Sequence, residues 1–335
     1  MLLTYTVMIL VAASCTSRTD QCETFGDLSP TSQLVPIRPG VALEVVDWCG
    51  EGDVLVFLAG LGHTAHVFDE FAPRFTDSYH VLGITRRGFG ASSQPETGYT
   101  LDTLIDDLRL VLDSLRLGPP RRVILIGHSL GGDEMTGLAA RYPDYVRALV
   151  YIEGAYDRVT TADTLSHYPV TETGSPPPEQ TPDELASPEG YQRFYERVNG
   201  VKMPLGEIVA MFDWNNDGSY AGYSVPAGAY PGIRGSLRDP VYDAITAPAL
   251  AIYAVGYPIE ELFPDWAKAD TASRSQMRAH YHAATRCDSL SRAHFRNAMT
   301  NGTIVEIPGA GHSLYITHGD TVAGVVRGWL ESRPD

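Results

Sequence analysis

Short apolar runs and amphipathic stretches alternate along the first half of this chain. Residues 54–58 (Val-Leu-Val-Phe-Leu) and 123–126 (Val-Ile-Leu-Ile) are continuously apolar, which is typical of strands covered on both faces. Residues 101–117, between them, repeat leucine, isoleucine and valine at helical spacing, and a Gly-Pro-Pro sequence ends that stretch. Because helices connect parallel strands, this alternation predicts an α/β protein with a mostly parallel sheet.

The same periodicities extend the prediction over the rest of the chain. Further strands are predicted at residues 43–47, 80–85, 148–152, 249–254 and 303–307, and further helices at 67–75, 130–142, 272–298 and 320–330. Residues 158–245 interrupt the alternation with proline, glycine and scattered aromatic residues. We therefore predict a core formed by residues 34–157 and 246–335, with residues 158–245 inserted after the sixth strand as a cap.

The N-terminus has the outline of an export signal. Residues 2–13 form an apolar run of about a dozen residues, shorter than the roughly 20 that span a bilayer. Small residues then lead to Cys15, which resembles the lipidated cysteine of the bacterial lipoprotein lipobox, although Ala12 replaces the usual leucine and no basic residue precedes the run. We predict a signal or lipoprotein segment at 1–15 and a tether at 16–33, in an exported, periplasmic or membrane-anchored protein. A plainly cleaved signal and a cytosolic chain with an apolar start stay open.

Charge and cysteine content narrow the classes of partner. The formal net charge of −16 argues against nucleic-acid binding, which needs clustered positive charge. Beyond Cys15, the cysteines Cys22, Cys49 and Cys287 suffice for one disulfide and one free thiol, or act as small buried apolar side chains. The expected partner is a small molecule, and the sequence sets no oligomeric state.

A buried strand, a glycine-flanked serine and a helix follow one another in the first half of the chain. Residues 127–131 read Gly-His-Ser-Leu-Gly. To raise its hydroxyl above the sheet, Ser129 must occupy a strained turn, and Gly127 and Gly131 leave room for that turn. The helix that begins at Leu130 directs unpaired N–H groups at the oxyanion that develops in acyl transfer. We predict Ser129 as a nucleophile, with an idle serine in a glycine-rich turn as the alternative.

This elbow and two other segments resemble the α/β-hydrolase superfamily over most of residues 34–330 outside the insertion. The other segments are Phe-Leu-Ala-Gly-Leu-Gly at 57–62 and Arg-Arg-Gly-Phe-Gly-Ala-Ser at 86–92. The resemblance implies the α/β-hydrolase fold with eight mostly parallel strands flanked by helices, no cofactor, and a triad in the order serine, acid, histidine. It points to the serine, esterase-like branch, because haloalkane dehalogenases and epoxide hydrolases carry an aspartate where this chain has Ser129.

The oxyanion hole that the resemblance implies uses main-chain donors. Residues 57–62 follow a buried strand and correspond to the family's His-Gly-x-Gly loop, with Ala59 in place of histidine. The N–H of Leu61 is expected to pair with that of Leu130, each contributing about 3–4 kcal/mol to the stabilisation of the transition state. Main-chain donors need no particular side chain, so the exchange at Ala59 is tolerable. His63 is expected to order this loop or begin the next helix rather than to act in catalysis.

His312 is the predicted general base. It lies in the Gly-Ala-Gly-His-Ser segment at 309–313, between the last predicted strand and the last helix, where the family carries its catalytic histidine. Flanking glycines allow its ring to approach Ser129, whose proton it accepts and later donates to the leaving group. His318 is the reserve candidate, and a loop histidine that only bonds locally is the structural alternative.

Two positions compete for the triad acid. The position most used in the family, shortly after the seventh strand, falls on Tyr257, which cannot stabilise an imidazolium as a carboxylate does. Glu153 ends the apolar strand before the insertion, where a buried carboxylate needs a partner such as His312. We assign the acid to Glu153, while a purely structural Glu153 stays open. The alternative acids are Glu260, Glu261 and Asp157.

Two further patterns bear on ligands. Residues 213–218 (Asp-Trp-Asn-Asn-Asp-Gly) match the first half of a calcium-binding EF-hand loop, but Ser224 stands where the bidentate glutamate belongs. No cysteine–histidine spacing indicates zinc, and we predict neither a metal nor a cofactor. The insertion is rich in aromatic residues, which either line a substrate pocket or form the core of the cap.

These features together predict a serine-dependent hydrolase that acts on an ester or related acyl bond of a small molecule through an acyl-enzyme. Hydrolysis of amide, lactone or carbon–carbon bonds on the same triad stays open, because a fold does not set the substrate. The competing class is a binding or receptor protein, or a surface lipoprotein, that has kept the fold and lost turnover.

Overall fold

The computed structural model describes residues 30–170 and 178–333. The predicted signal segment 1–15, with Cys15, and most of the predicted tether 16–33 lie outside these residues. Within the two described ranges, no helix is both long and apolar enough to cross a bilayer.

One eight-stranded sheet organises the core. Numbered along the chain, the strands are β1 (Thr31–Arg38), β2 (Val41–Asp47), β3 (Asp53–Leu58), β4 (Tyr79–Ile84), β5 (Val123–His128), β6 (Val146–Ile152), β7 (Asp213–Trp214), β8 (Tyr220–Gly222), β9 (Ala249–Val255) and β10 (Gly302–Pro308). The order in the large sheet is β1-β2-β4-β3-β5-β6-β9-β10, and β7 and β8 pair separately. The pairs β1–β2 and β2–β4 are antiparallel, and all other pairs in the large sheet are parallel. The predicted mostly parallel, eight-stranded sheet is confirmed.

Helices cover both faces of the sheet and fill the insertion. The α-helices are α1 (Leu101–Ser114), α2 (Leu130–Arg141), α3 (Arg158–Ser166), α4 (Pro182–Leu185), α5 (Pro188–Asn199), α6 (Leu205–Met211), α7 (Ala229–Gly235), α8 (Ile259–Leu262), α9 (Thr271–Ala298), α10 (Leu314–Thr317) and α11 (Gly319–Glu331). Short 3-10 helices are formed by Ala65–Phe68, Ala72–Phe75, Pro143–Tyr145 and Tyr242–Ala244. The helices α1, α2, α9 and α11 lie where hydrophobic periodicity predicts them.

Two elements differ from their prediction for local reasons. The sequence does not predict β1, because most of this edge strand is exposed and only Val35 is buried, so one-sided alternation is missing. Residues 67–75 form two 3-10 turns rather than the predicted helix. Pro73 lies in the first turn of the second 3-10 helix. Because proline has no backbone N–H, a continuous helix cannot run through this position from the preceding turn.

The two faces of the sheet belong to two apolar cores. Successive strand residues point to opposite faces, so Leu125 lies in the core that contains Leu108 of α1, whereas its neighbour Ile126 lies in the core that contains Trp329 of α11. Full burial of each such side chain contributes about 1.5–3 kcal/mol to folding. The carboxyl ends of β5, β6, β9 and β10 are thus held at one edge, where the loops that follow them can meet.

The insertion between β6 and β9 contains α3 to α7 and the β7–β8 hairpin. Its aromatic side chains pack mainly on one another. The rings of Tyr191 and Tyr220 stack with centroids 4.3 Å apart, and Tyr191 also contacts Phe212 at 4.6 Å and Trp214 at 6.1 Å. Of the two interpretations left open by the sequence, the structure favours a core of the insertion. Residues 213–218, which resemble half of a calcium loop, form β7 and its turn.

Two cysteines lie within the described residues. Cys49, which follows β2, is disulfide-bonded. Cys287 in α9 is a free, buried thiol. These states agree with the expectation of one disulfide and one free thiol.

A partly buried charged cluster joins β2 to the 3-10 helix Ala65–Phe68. Nδ1 of His66 lies 3.0 Å from Asp69 Oδ2, and its Nε2 lies 3.4 Å from Glu44 Oε1. Burial alone lowers the pKa of His66, but its bonds to Asp69 and Glu44 outweigh burial and raise that pKa to about 10. His66 is therefore protonated in the folded protein at neutral pH.

We expect this cluster to make stability depend on pH in the alkaline range. The pKa of His66 is about 10 in the folded protein, against about 6.5 in an unfolded chain. Its stabilisation is therefore fully present below about pH 6.5 and is lost as the pH rises through about 10. Urea titrations should show the free energy of unfolding falling by roughly 2–3 kcal/mol over this range. His66→Gln should abolish the fall and His80→Gln should keep it; an unchanged fall in His66→Gln contradicts the assignment.

Candidate active site

Ser129 stands on the turn between β5 and α2, at the carboxyl edge of the sheet. Its backbone angles, φ 48° and ψ −117°, lie where a non-glycine residue persists only if its surroundings impose the conformation. A Cβ atom on Gly127 would lie 2.6 Å from the carbonyl carbon of Gly131, and one on Gly131 would lie 2.3 Å from Leu58 O. Both glycines are therefore required for this turn, which leaves Ser129 partly exposed.

His312 and Glu153 meet at the same edge, from the loop after β10 and from the end of β6. Nδ1 of His312 lies 3.2 Å from Glu153 Oε2, and the Glu153 side chain is only 5% exposed. The second oxygen, Oε1, accepts hydrogen bonds from the Ala254 N–H at 2.6 Å and the Tyr156 O–H at 2.7 Å. Three donors thus hold a buried carboxylate. With Nδ1–H donating to Glu153, Nε2 of the neutral ring is left to accept a proton.

His128 ties the loop that carries His312 to the turn that carries Ser129. Its Nε2–H donates to His312 O at 3.0 Å, and the two imidazole centroids lie 4.6 Å apart. Burial, with His312 and His63 nearby, lowers the pKa of His128 well below its usual value, so this ring is neutral. This bond ties the His312 loop to His128, the residue that precedes Ser129 in the chain. Ser129 Oγ has no hydrogen-bond partner among the described residues, and catalytic hydrogen bonds of free enzymes commonly tighten only when substrate binds.

The N–H groups of Leu61 and Leu130 are unpaired within the described part of the chain. Leu130 is the first residue of α2, and the first N–H groups of a helix have no helical acceptor. Leu61 shares a peptide unit with Gly60, whose carbonyl accepts a hydrogen bond from Arg86 Nη1 at 2.5 Å. Since C=O and N–H of a trans peptide point in opposite directions, the Leu61 N–H faces away from Arg86. A Cβ on Gly60 would lie 3.4 Å from Ser129 Cβ, so this loop lies against the serine.

The alternative acids have other partners. Asp157 Oδ1 lies 2.7 Å from His294 Nδ1. Glu261 Oε1 accepts from the main-chain N–H of His312 at 2.9 Å, not from its ring. Glu260 is exposed on α8. None of these three carboxylates is hydrogen-bonded to the imidazole of His312.

Two more positions considered from the sequence bond locally. The hydroxyl of Tyr257, which stands at the expected place of an aspartate, donates to Asp288 Oδ2 at 2.8 Å. Burial raises the pKa of Asp288, a residue that sequence patterns do not single out. Nδ1 of His318 lies 2.9 Å from Thr317 Oγ1. Across residues 30–170 and 178–333, no three histidine, cysteine, aspartate or glutamate side chains are grouped to hold a metal ion.

Comparisons with known proteins agree with the observed fold. A family model described as the alpha/beta hydrolase fold matches residues 53–193. Over 104 residues the chain is 36% identical to 2-(acetamidomethylene)succinate hydrolase of Mesorhizobium japonicum, covering 31% of this chain and 36% of that protein. Over 106 residues it is 34% identical to the non-heme chloroperoxidase CPO-A1 of Kitasatospora aureofaciens, covering 31% of this chain and 37% of that protein. Each match therefore spans little more than a third of the relative.

A solved structure extends the likeness to most of the chain. The crystal structure of E-2-(acetamidomethylene)succinate hydrolase has a TM-score of 0.64 at 21% identity and covers 90% of this chain and 99% of that one. The chain has the α/β-hydrolase fold. Members of one fold act on different bonds, so the substrate of this protein has to be argued from its own site.

Arg86 has a role at this site that the sequence alone does not indicate. Its guanidinium bonds the carbonyl oxygens of Ala59 and Gly60, and its Nε donates to Glu134 Oε1 at 2.8 Å. Both side chains of the Arg86–Glu134 pair are 5% exposed. A planar, forked donor can hold two carbonyls at once, so this buried pair fixes the peptide that carries the Leu61 N–H.

We expect Arg86→Lys to impair catalysis more than binding. An ammonium group cannot bond both carbonyls and Glu134 together, so the Leu61 N–H should move out of place. Steady-state kinetics should show kcat falling by about 10–100-fold with KM nearly unchanged. Arg87→Lys is the matched control, because Arg87 is equally buried but pairs with Asp107. Equal losses of kcat in the two variants would show that lost stability, not a displaced Leu61 N–H, is responsible.

The insertion holds the same loop from the other side. Glu207 of α6 has a fully buried side chain, and its carboxylate accepts hydrogen bonds from the Thr64 N–H at 3.1 Å and the Thr64 hydroxyl, and bonds His63 Nδ1 at 2.9 Å. Tyr230 also approaches the loop, since a Cβ on Gly62 would lie 2.8 Å from its hydroxyl. These contacts give His63 a role in ordering the loop.

Proposed function

We propose that this α/β-hydrolase cleaves an ester or related acyl bond of a small molecule through an acyl-enzyme on Ser129. The observation that carries the proposal is the hydrogen bond from His312 Nδ1 to the buried Glu153 carboxylate, beside a strained nucleophile elbow. A carboxylate at Nδ1 holds the imidazole in the tautomer that can act as a base and stabilises the imidazolium that forms.

The groups at the sheet edge support both halves of such a reaction. In acylation, Ser129 Oγ attacks the carbonyl carbon while His312 Nε2 takes its proton, and the N–H groups of Leu61 and Leu130 bind the oxyanion. His312 then gives that proton to the leaving group as the carbon–leaving-group bond breaks, with Glu153 stabilising the imidazolium until then. In deacylation, water attacks the acyl carbon with His312 as base, and Ser129 regains its proton.

The same groups would serve a lactone, an amide or a carbon–carbon bond next to a carbonyl. Serine at position 129 supports acyl rather than alkyl transfer. The strain at Ser129 argues against a binding protein without turnover, because a conformation that costs of order 1–3 kcal/mol has no use once catalysis is lost. The named relatives, a hydrolase and a chloroperoxidase, support the shared fold. They do not indicate which type of bond this protein cleaves, and that has to be measured.

A substrate panel tests the proposal. Nitrophenyl esters of graded acyl length should be measured beside lactones and nitroanilides, each with wild-type enzyme. We expect kcat/KM to be highest for an ester, with an initial burst of nitrophenol close to the enzyme concentration if deacylation is slower than acylation. Turnover of lactones or anilides alone would replace the ester assignment, and turnover of none would support a binding protein.

A further inference from the structure

A second histidine–carboxylate pair lies next to the Leu61 N–H. Nδ1 of His63 is 2.9 Å from Oε1 of Glu207, and the Glu207 side chain is fully buried. An ionised carboxylate can only accept hydrogen bonds, so Nδ1 of His63 carries the proton in this bond. In the neutral ring Nε2 is then an acceptor, as it is in the ring of His312. An inference about the His63–Glu207 pair rests on the proposed function, in which Ser129 is the nucleophile.

A tight turn brings His63 close to Ser129. The His63 N–H donates to the Gly60 carbonyl at 3.3 Å, and Gly62, with φ 91°, has the positive φ found at the third position of a type II turn. The Cα atoms at the two ends of such a turn are less than about 7 Å apart. Gly60 itself lies against the serine, since a Cβ added to Gly60 would be 3.4 Å from Ser129 Cβ. The side chain of His63 can therefore reach a substrate that is bonded to Ser129.

Nε2 of His63 is open to a ligand. It has no hydrogen-bond partner among residues 30–170 and 178–333, and it is not among their buried polar atoms. In the reaction proposed above, His312 protonates the leaving group and the Leu61 N–H binds the carbonyl oxygen. The acyl part of the substrate is the part that remains for His63. We propose that His63 is a substrate-binding residue whose Nε2 accepts a hydrogen bond from a hydroxyl group on that acyl part.

The charges around the pair favour a hydroxyl group over an ion. Within the described part of the chain, no lysine or arginine is bonded to Glu207 or His63. A carboxylate on the substrate would therefore meet the charge of Glu207 without a fixed cation. An ammonium group has three protons to place, but the Glu207 carboxylate is buried and already accepts from Thr64. A hydroxyl group has one proton, which Nε2 can accept.

Matched esters test this contact. In the phenyl esters of 2-hydroxybutyrate and 2-methylbutyrate, and of 3-hydroxybutyrate and 3-methylbutyrate, a hydroxyl group replaces a methyl group of similar size. After correction for hydrolysis by hydroxide, wild-type kcat/KM should favour the hydroxyl member of one pair by about tenfold or more. The corresponding methoxy ester, whose oxygen has no proton to donate, should react like the methyl ester.

His63→Asn separates substrate binding from ordering of the turn. An asparagine amide can replace Nδ1–H as the donor to Glu207, but it has no atom at the place of Nε2. The preference for the hydroxyl ester should therefore fall below about twofold, whereas a loosened turn would slow both esters alike and keep their ratio. In His63→Gln the amide oxygen can accept near the place of Nε2, and a preference of about threefold or more should remain.

His318→Asn is the matched control, because Nδ1 of His318 bonds the hydroxyl of its neighbour Thr317. It should keep the wild-type preference. Equal kcat/KM for the hydroxyl and methyl esters of both pairs in wild-type enzyme, or an unchanged preference in His63→Asn, contradicts the binding role of His63. A higher kcat/KM for the phenyl ester of succinate or of 3-aminobutyrate than for the hydroxyl esters shows that the site selects an ion, and overturns the assigned class.

Labelling with a fluorophosphonate distinguishes the two proposals. An enzyme that labels on Ser129 and hydrolyses the esters without preferring the hydroxyl group contradicts only the role of His63. An enzyme that hydrolyses none of the esters, whether or not it labels, contradicts the proposed function and the role of His63 with it.

Discussion

Replacement of Ser129 by Ala is expected to lower kcat/KM for the best ester by about 10⁴–10⁶-fold. The change removes the attacking oxygen and adds no bulk, so the elbow and the N–H groups of Leu61 and Leu130 stay in place. What remains is binding and oxyanion stabilisation without a covalent intermediate. Steady-state rates of a preparation free of wild-type enzyme measure the loss, and a thermal unfolding curve shows that the fold is kept.

Ser313→Ala is the control for this loss, because Ser313 is the residue that follows His312. Its kcat/KM should stay within about twofold of wild type. If Ser129→Ala kept more than about 1% of the wild-type rate, another group would have to be the nucleophile.

Glu153→Gln is expected to lower kcat by about 10³–10⁴-fold. A glutamine oxygen can still accept from the Ala254 N–H and the Tyr156 O–H, so the end of β6 should keep its position. An amide N–H facing His312 Nδ1, however, would favour the tautomer that carries its proton on Nε2, and that tautomer cannot take a proton from serine. Steady-state kinetics on the preferred ester measure the loss.

Glu261→Gln separates this effect from a general loss of negative charge near His312. Its oxygen can still accept from the His312 main-chain N–H, so kcat should fall by less than about tenfold. A larger loss in Glu261→Gln than in Glu153→Gln would transfer the role of the acid to Glu261.

The elbow can be predicted from sequence because its determinants are local. An apolar strand at 123–126, two glycines four residues apart and a helix start all lie within ten residues, and steric exclusion at Gly127 and Gly131 follows from their lack of Cβ. Glu153 is predictable for a related reason. A carboxylate at the end of an apolar strand needs donors, and His312 follows the last strand of the same parallel sheet.

The supports of the loop at residues 59–64 cannot be predicted in this way, because they join distant parts of the chain. Arg86 and Glu134 are 48 residues apart, and His63 and Glu207 are 144 residues apart. Neither pair falls within one helix, one strand or one turn, so no periodicity records it. Only packing of the insertion and of α2 against the loop brings these side chains together.

The central claim is that the acyl group of the substrate becomes bonded to Ser129 Oγ. Mass spectrometry tests it directly on enzyme quenched with acid during turnover of a slowly deacylated nitrophenyl ester and then digested with pepsin. The account predicts one acyl group per chain, on the peptide that contains Ser129. Continued turnover with no acylated peptide, or with the acyl group on another residue, would contradict it.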